Sequence, residues 1–352
     1  MTQDFIAALC ERVGSAASRG EKLRIRGGGT KDFYGGALIG APLEMSAYSG
    51  IVAYEPKELV LTVRAGTPVA QVEGALAAER QMLPFEPPRF AEGATIGGTV
   101  AAGMSGPRRA FAGAVRDFVL GTRIVNGKGE DLSFGGRVIK NVAGYDVSRL
   151  MAGALGTLGV LTEISFKVLP RPALETTLAF ELDEGSAIAQ SNRWSAQPLP
   201  LSATSWEAGT LRVRLSGAES AVRAAKQRMG GEDVGDLAGY WADLREHRLA
   251  FFASGAPLWR MSVAQTAAPF DVGAPQLIEW GGGLRWACGT LDASTVRAAA
   301  ERAGGHATLF RGGDKSTGVF HPLGPAILKI HRRLKASFDP AGILNAGRFY
   351  DF

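Results

Sequence analysis

Cysteine is nearly missing from this sequence: there are two in 352 residues, Cys10 and Cys288. They lie far apart and outside any CxxC spacing, so neither an iron–sulfur cluster nor a zinc site can be built from them alone. Such sparing use suits a reducing compartment. Histidine is scarce too, with His247, His306, His321 and His331 ungrouped. No apolar run reaches the roughly 18 residues that a spanning helix needs. The opening MTQDFIAALCERV has an acidic residue and lacks the unbroken apolar core of a signal peptide. No GxxxxGK[ST] occurs, and the small-residue stretch 93–106 holds no GxGxxG. These absences argue against a P-loop nucleotidase and a Rossmann dinucleotide fold. Lys plus Arg exceed Asp plus Glu by 39 to 34, a mild +5. Arg108-Arg109 and His331-Arg332-Arg333 are too short to form a nucleic-acid stripe.

Glycine, by contrast, is abundant, at 47 residues clustered in the first half. The stretch that organises the chain is LRIRGGGTKD, residues 23–32. Leu23 and Ile25 alternate with Arg24 and Arg26, the pattern of a short strand. Gly27, Gly28 and Gly29 follow, then Thr30, Lys31 and Asp32. Without Cβ atoms the backbone can turn sharply and present bare N–H groups to a ligand. Consecutive N–H groups beside a lysine suit a diphosphate. A plain tight turn after a strand would use the same residues.

The remaining pattern is that of a soluble, globular chain long enough for two domains, 46% hydrophobic and 21% charged. A helix is expected over 2–19, strands over 51–54 and 59–65, and a helix from Pro68 to about Arg80 capped by Thr67. Gly93-Ala94-Thr95-Ile96-Gly97-Gly98 and Gly103-Met104-Ser105-Gly106 suit either close helix packing or a planar, phosphorylated ligand. Asn126-Gly127 between apolar runs predicts a hairpin. Lys140 to Asp146 reads KNVAGYD, and Gly153, Gly156 and Gly159 lead into an apolar strand. After Pro170-Arg171-Pro172 the texture changes. Glycine thins, tryptophans appear, and strands near 176–182, 211–215, 258–263, 277–280 and 284–288 alternate with four helices. This predicts an α+β region with an antiparallel sheet. Pro325 opens a last helix, to about Phe338.

The glycine loop, the TIGG stretch, GTLGVLTE at 156–163 and FDPAGILNAGR at 338–348 stand together in one order. This arrangement resembles the FAD-binding fold of the vanillyl-alcohol oxidase / p-cresol methylhydroxylase (PCMH-type) family. KNVAGYDVSRLMAGALGTLGVLTE and FHPLGPAILKIHRRLKASFDPAGILNAGRFY carry a nearer likeness, to the E-type FAD subunits of bacterial glycolate oxidases. The resemblance implies an α+β fold: a PCMH-type FAD-binding domain of two α+β subdomains at 1–172, an α+β cap domain at 173–310, and a segment, 311–352, that returns to the FAD domain. It implies a pyrophosphate loop at Arg26, Gly27, Gly28, Gly29, Thr30, Lys31 and Asp32. Gly93, Ala94, Thr95, Gly97, Gly98, Ser105 and Gly106 would line the diphosphate and isoalloxazine. Arg109 and Gly113 match a basic residue and a glycine that follow in relatives. Gly156, Thr157, Gly159 and Val160 would pack near the adenosine and ribityl parts, and Asn345 would return to the flavin's neighbourhood. Thr30 stands where some relatives carry a flavin-linking histidine, so the FAD is expected to be non-covalent.

Oxidising a 2-hydroxy acid requires a cation for the carboxylate, a base for the hydroxyl proton and a flavin to take the hydride. Candidate cations are Arg89, Arg108, Arg109 and Arg311; candidate bases are His321 and Tyr145. D-2-hydroxy-acid dehydrogenases of the family carry a metal motif like HxGDGNxH, which this chain lacks, so no metal is expected. The resemblance implies a FAD-binding subunit of a glycolate oxidase complex in glyoxylate metabolism. It would oxidise glycolate to glyoxylate with a D-type FAD-linked subunit and an iron–sulfur subunit. A self-sufficient flavin oxidase and a non-catalytic assembly subunit are the alternatives. The expected location is cytoplasmic, with peripheral contact at the inner membrane through the complex.

Overall fold

The computed structural model describes residues 2–136 and 146–350. The first helix, Thr2–Arg19, buries Ile6, Leu9, Val13 and Ala16, the stripe expected of an amphipathic helix. It packs over a parallel pair, β1 (Leu23–Arg26) and β2 (Ala41–Glu44). The chain's end runs beside β1: the Leu23 N–H donates to Ile343 O at 2.8 Å and the Asn345 N–H to Leu23 O at 2.9 Å.

Next come β3 (Ile51–Glu55), β4 (Val60–Arg64), the two-residue β5 (Gln81–Met82), β6 (Val119–Val125), β7 (Asp131–Gly135), β8 (Val160–Lys167) and the two-residue β9 (Leu169–Pro170). Five of them form an antiparallel sheet ordered β3-β4-β8-β6-β7. Its core includes Leu61, Ile96, Ile124, Ile164 and Phe166, all fully buried. The Asn126-Gly127 turn joins β6 to β7 as the sequence suggests. Thr67 does not cap the following helix, Val69–Ala78. Pro68 holds the cap position in an extended conformation, and the Thr67 hydroxyl donates to Arg64 O at 2.7 Å.

The other strands are β10 (Leu174–Glu181), β11 (Leu201–Glu207), β12 (Thr210–Gly217), β13 (Glu232–Gly235), β14 (Leu258–Ser262), β15 (Gln276–Glu279), β16 (Leu284–Cys288) and β17 (His306–Arg311). They form one sheet ordered β13-β10-β12-β11-β15-β16-β14-β17. Each half repeats a β-α-β-β-α-β path, with the second half lacking its first helix, and the halves join where β11 pairs with β15. Side chains alternate across this sheet. Trp259 and Met261 pack under the helix Ala293–Arg302, while Leu258, Trp286 and Phe310 face the first region. Arg260 sits directly across from Trp286, two positions from Leu258 and on its face of the strand.

Candidate functional site

Two neighbouring cavities meet at Ala102. The first, of about 80 Å³, lies against the glycine loop. It is lined by residues 25–32, Leu38, Thr95, Gly98, Ala101, Ala102, Leu155 and the tail residues Asn345 and Arg348. Among the described residues, no N–H from Gly27 through Lys31 finds an acceptor in the protein. A cluster of unanswered backbone donors is an anion cradle. The neighbouring helix, Ile96–Ala102, offers no such donors. Its first N–H groups go to Thr67 O, Ala65 O and the Thr95 hydroxyl. The cradle tolerates no side chains: a Cβ on Gly28 would fall 1.8 Å from Gly93 O, and one on Gly27 2.2 Å from Thr95 Oγ1. These features fit the diphosphate of FAD.

Asn345 holds the cradle in place. Its carboxamide oxygen accepts from the Ile25 N–H at 2.7 Å and its amide donates to Leu155 O at 2.6 Å. Arg348 ties down the next turn through Asp32 O at 3.2 Å and Gly36 O at 2.7 Å, and also bonds Tyr34 O. Arg26 is engaged by Asp32 and Glu44, each at 3.5 Å. The Lys31 ammonium lies 3.4 Å from Thr30 Oγ1 and 5.6 Å from the centre of the Phe90 ring. Burial lowers its pKa to about 8, against a pull upward from Glu246.

The second cavity, of about 100 Å³, lies between residues 102–107 and the inner face of the eight-stranded sheet. Its wall is side chain: Tyr34, Phe90, Arg109, His247, Arg260, Glu279, Trp280, Trp286 and Phe310 among others. Arg109 and Arg260 both lie over the Trp280 ring, at 4.4 and 5.3 Å. His247 stacks on Phe252 at 4.2 Å. Burial, with Arg311 and Arg260, pushes its pKa down to about 3, so its ring is neutral. Burial pushes Glu279 up to about 7, opposed by the Trp286 indole N–H, which donates to it at 2.8 Å, and by Arg260. The His247 Nδ1 and Trp280 Nε1 atoms are buried with no hydrogen-bond partner.

The residues singled out in the sequence divide among three places. Arg26, Gly27, Gly28, Gly29, Thr30, Lys31, Asp32, Thr95, Gly98 and Asn345 line the first cavity; Ser105, Gly106 and Arg109 line the second. Gly93 and Ala94 buttress the loop from behind. The others line neither cavity. Gly97 packs on Ala65, and Gly113 turns the chain beside Asp117. Gly156 abuts the Asn345 side chain, and Gly159 abuts Ile124. Thr157 bonds Ala154 O at 2.7 Å, and Val160 is buried in the sheet. A Cβ on Gly97, Gly156 or Gly159 would come within 3 Å of a neighbour, and Gly113 has a positive φ of 116°.

Of the catalytic candidates, Tyr145 falls outside the described residues. His321 is drawn away from both cavities by Glu301, 2.9 Å from Nε2. Arg311 lies over Phe33 and Phe90, at 4.6 and 5.5 Å, behind the second cavity's aromatic wall. Arg108 is committed to Glu86 and Glu175, and Arg89 lies 3.6 Å from Glu73. Sequence reasoning missed Tyr34, His247, Arg260, Glu279, Trp280 and Trp286. One signal was available: in LWRMS an arginine occupies an inward position of an apolar strand.

Comparison with known proteins agrees with this geometry. Residues 6–135 match a family model described as an FAD binding domain. The chain is 47% identical to the glycolate oxidase subunit GlcE of Escherichia coli (strain K12), over 99% of this chain and 98% of that one. It is 34% identical to the glycolate oxidase subunit GlcD of Bacillus subtilis (strain 168), over 40% of this chain and 30% of that one. A D-lactate dehydrogenase of Anaerostipes hadrus is 33% identical over 41% and 29%. Among solved structures, an alkyldihydroxyacetonephosphate synthase superposes with a TM-score of 0.64 at 15% identity, over 96% of this chain and 74% of that one, which establishes likeness of fold.

Proposed function

The chain belongs to the family of the glycolate oxidase subunit GlcE, and from that premise we propose that it is the FAD-carrying E-type subunit of a complex oxidising glycolate to glyoxylate. The carrying observation is the row of unanswered N–H groups from Gly27 through Lys31, which receive the diphosphate. FAD bound there supplies the two-electron acceptor for the oxidation. Asn345 and Arg348 fix the loop, Lys31 adds a neutralising charge, and Ala102 to Gly106 form the floor joining the two cavities. The partners are a D-type FAD-linked subunit and an iron–sulfur subunit that takes the electrons onward. We read residues 1–172 with 311–352 as the FAD unit and 173–310 as its cap. Among the described residues no helix is long and apolar enough to cross a membrane, and we read any membrane contact as peripheral, through the complex.

The chain purified alone tests this reading. It should carry flavin, and acid precipitation should release that flavin to the supernatant, because the cradle is main chain and Thr30 supplies no linking group. A colourless chain that cannot be reconstituted with FAD would overturn the proposal. Flavin remaining in the pellet would overturn its non-covalent part.

A further inference from the structure

Arg109 and Arg260 are the two charges that the glycine loop does not explain. Among the described residues, neither guanidinium donates a hydrogen bond to the protein or joins an ion pair. The other arginine of the cavity wall, Arg245, is already paired with Glu246 at 2.7 Å. Arginine remains charged in proteins, both residues are only partly exposed, and a guanidinium partly withdrawn from water without a bonded partner is costly. Two such cations share one indole, and that indole's own N–H is buried and unanswered. The acid on the same wall, Glu279, accepts the Trp286 N–H and attracts Arg260, but one carboxylate cannot balance two guanidinium groups. The cavity therefore carries excess positive charge and a free neutral donor. At about 100 Å³ it is far below the roughly 300 Å³ at which pockets for drug-sized ligands begin.

We infer that this cavity is a binding site for a small monocarboxylate of two or three carbons, held by Arg109 and Arg260 with the Trp280 indole N–H as third donor. Guanidinium groups grip a carboxylate through paired N–H···O bonds, so the site selects a carboxylate over a neutral alcohol of the same size. The inference rests on the functional reading above only for the identity of the acid, glycolate. The site itself stands on this chain's side chains, and the glycine loop contributes none of them.

The test uses the full chain, both as purified and stripped of flavin. Glycolate is titrated while intrinsic tryptophan fluorescence and melting temperature are followed, since Trp280 and Trp286 stand in the wall. Glycolate should change the fluorescence and raise the melting temperature in both forms, while ethylene glycol should do neither. R260M and R109M should each weaken glycolate binding by about tenfold or more. Each should melt no lower than the parent without ligand, because a partly buried guanidinium with no bonded partner has been removed. R260K, which keeps the charge and loses the fork, should fall between parent and R260M.

Equal responses to glycolate in parent and variants would overturn the proposal. So would equal responses to chloride and glycolate, which would mark an adventitious ion only. A ligand-free R260M that unfolds readily and is not rescued by R260K would show a structural arginine and overturn it as well. If the variants lose their flavin, the arginines serve the cofactor and this proposal fails while the FAD reading survives. If the parent never binds FAD but its stripped form binds glycolate, the FAD reading fails and this one survives.

Discussion

The two cavities are built on opposite plans. The first is built around residues adjacent in sequence, 27–31, and its donors are main-chain N–H groups that every residue type but proline carries. The second is made by side chains from distant positions: the inner face of the sheet supplies Arg260, Trp286 and Phe310, and the loops and short helix packed against it supply Tyr34, His247 and Arg109. A main-chain site depends on the absence of side chains and therefore on glycine. A side-chain site depends on which residues happen to face inward. The first should fail when anything is added to it, the second when something is removed.

The largest effect expected from this contrast is at Gly28. Gly28→Val would drive a Cβ into the main chain at Gly93 O, which cannot swing aside as a flexible side chain could. Flavin absorbance per chain after gel filtration should drop to background, while the glycolate-induced change in tryptophan fluorescence persists in the same protein. Normal flavin content would break the main-chain account of the first cavity. Next is Glu86, which joins the two regions. It receives Arg214 at 2.8 Å from β12 and Arg108 at 3.2 Å. Burial pushes its carboxyl up, but Arg214 and Arg108 outweigh that and hold its pKa below the usual range. Glu86→Gln leaves two largely buried guanidinium groups short of a charge and should lower stability by about 3 kcal/mol in denaturant melts. Because the damage lies at the sheet's inner face, glycolate binding should weaken more than flavin retention. Equal loss of both would collapse the distinction.

The contrast also explains what could be read beforehand. The glycine loop, the Asn126-Gly127 hairpin and the final helix from Pro325 to Phe338 are written in local residue chemistry, and each is found where that chemistry puts it. Glycine itself is ambiguous: Gly97, Gly156 and Gly159 are demanded by neighbours within 3 Å and line neither cavity. The strand β11 was not visible in LSATSWE, which lacks a clear alternation, nor was β17 in HATLFR after a helix. Without those strands the sheet order could not be drawn. Without the order, Arg260, Trp286 and Phe310 had no reason to be neighbours.

Lys31 offers a sharper test of the first cavity. Its free-state pKa is lowered to about 8 by burial. Below that pH the ammonium is charged and attracts a diphosphate; a bound diphosphate holds the proton in place. As pH rises through 8 the free protein loses the charge, so FAD binding must take up a proton and weakens, by at most roughly tenfold per pH unit. Lys31→Arg keeps its charge throughout and should flatten this slope, as read from FAD titrations across the range. An unchanged slope in the variant would move the titrating group elsewhere.

The smallest effect is expected at His321, whose ring Nε2 meets Glu301 at 2.9 Å and whose Nδ1 faces the Ala307 N–H at 3.4 Å. A histidine followed by proline in a short loop looks available for proton transfer. Here both ring nitrogens are engaged by the strand β17 and by the helix preceding it, on the side of the sheet turned away from the cavities. Its partner Glu301 is well exposed, and contacts of that kind contribute at most about 1 kcal/mol. His321→Ala should therefore leave both flavin content and glycolate binding within error of the parent. A loss of either would mean that the outer face of the eight-stranded sheet reaches a site which the alternation of its strands otherwise assigns to Arg260, Trp286 and Phe310.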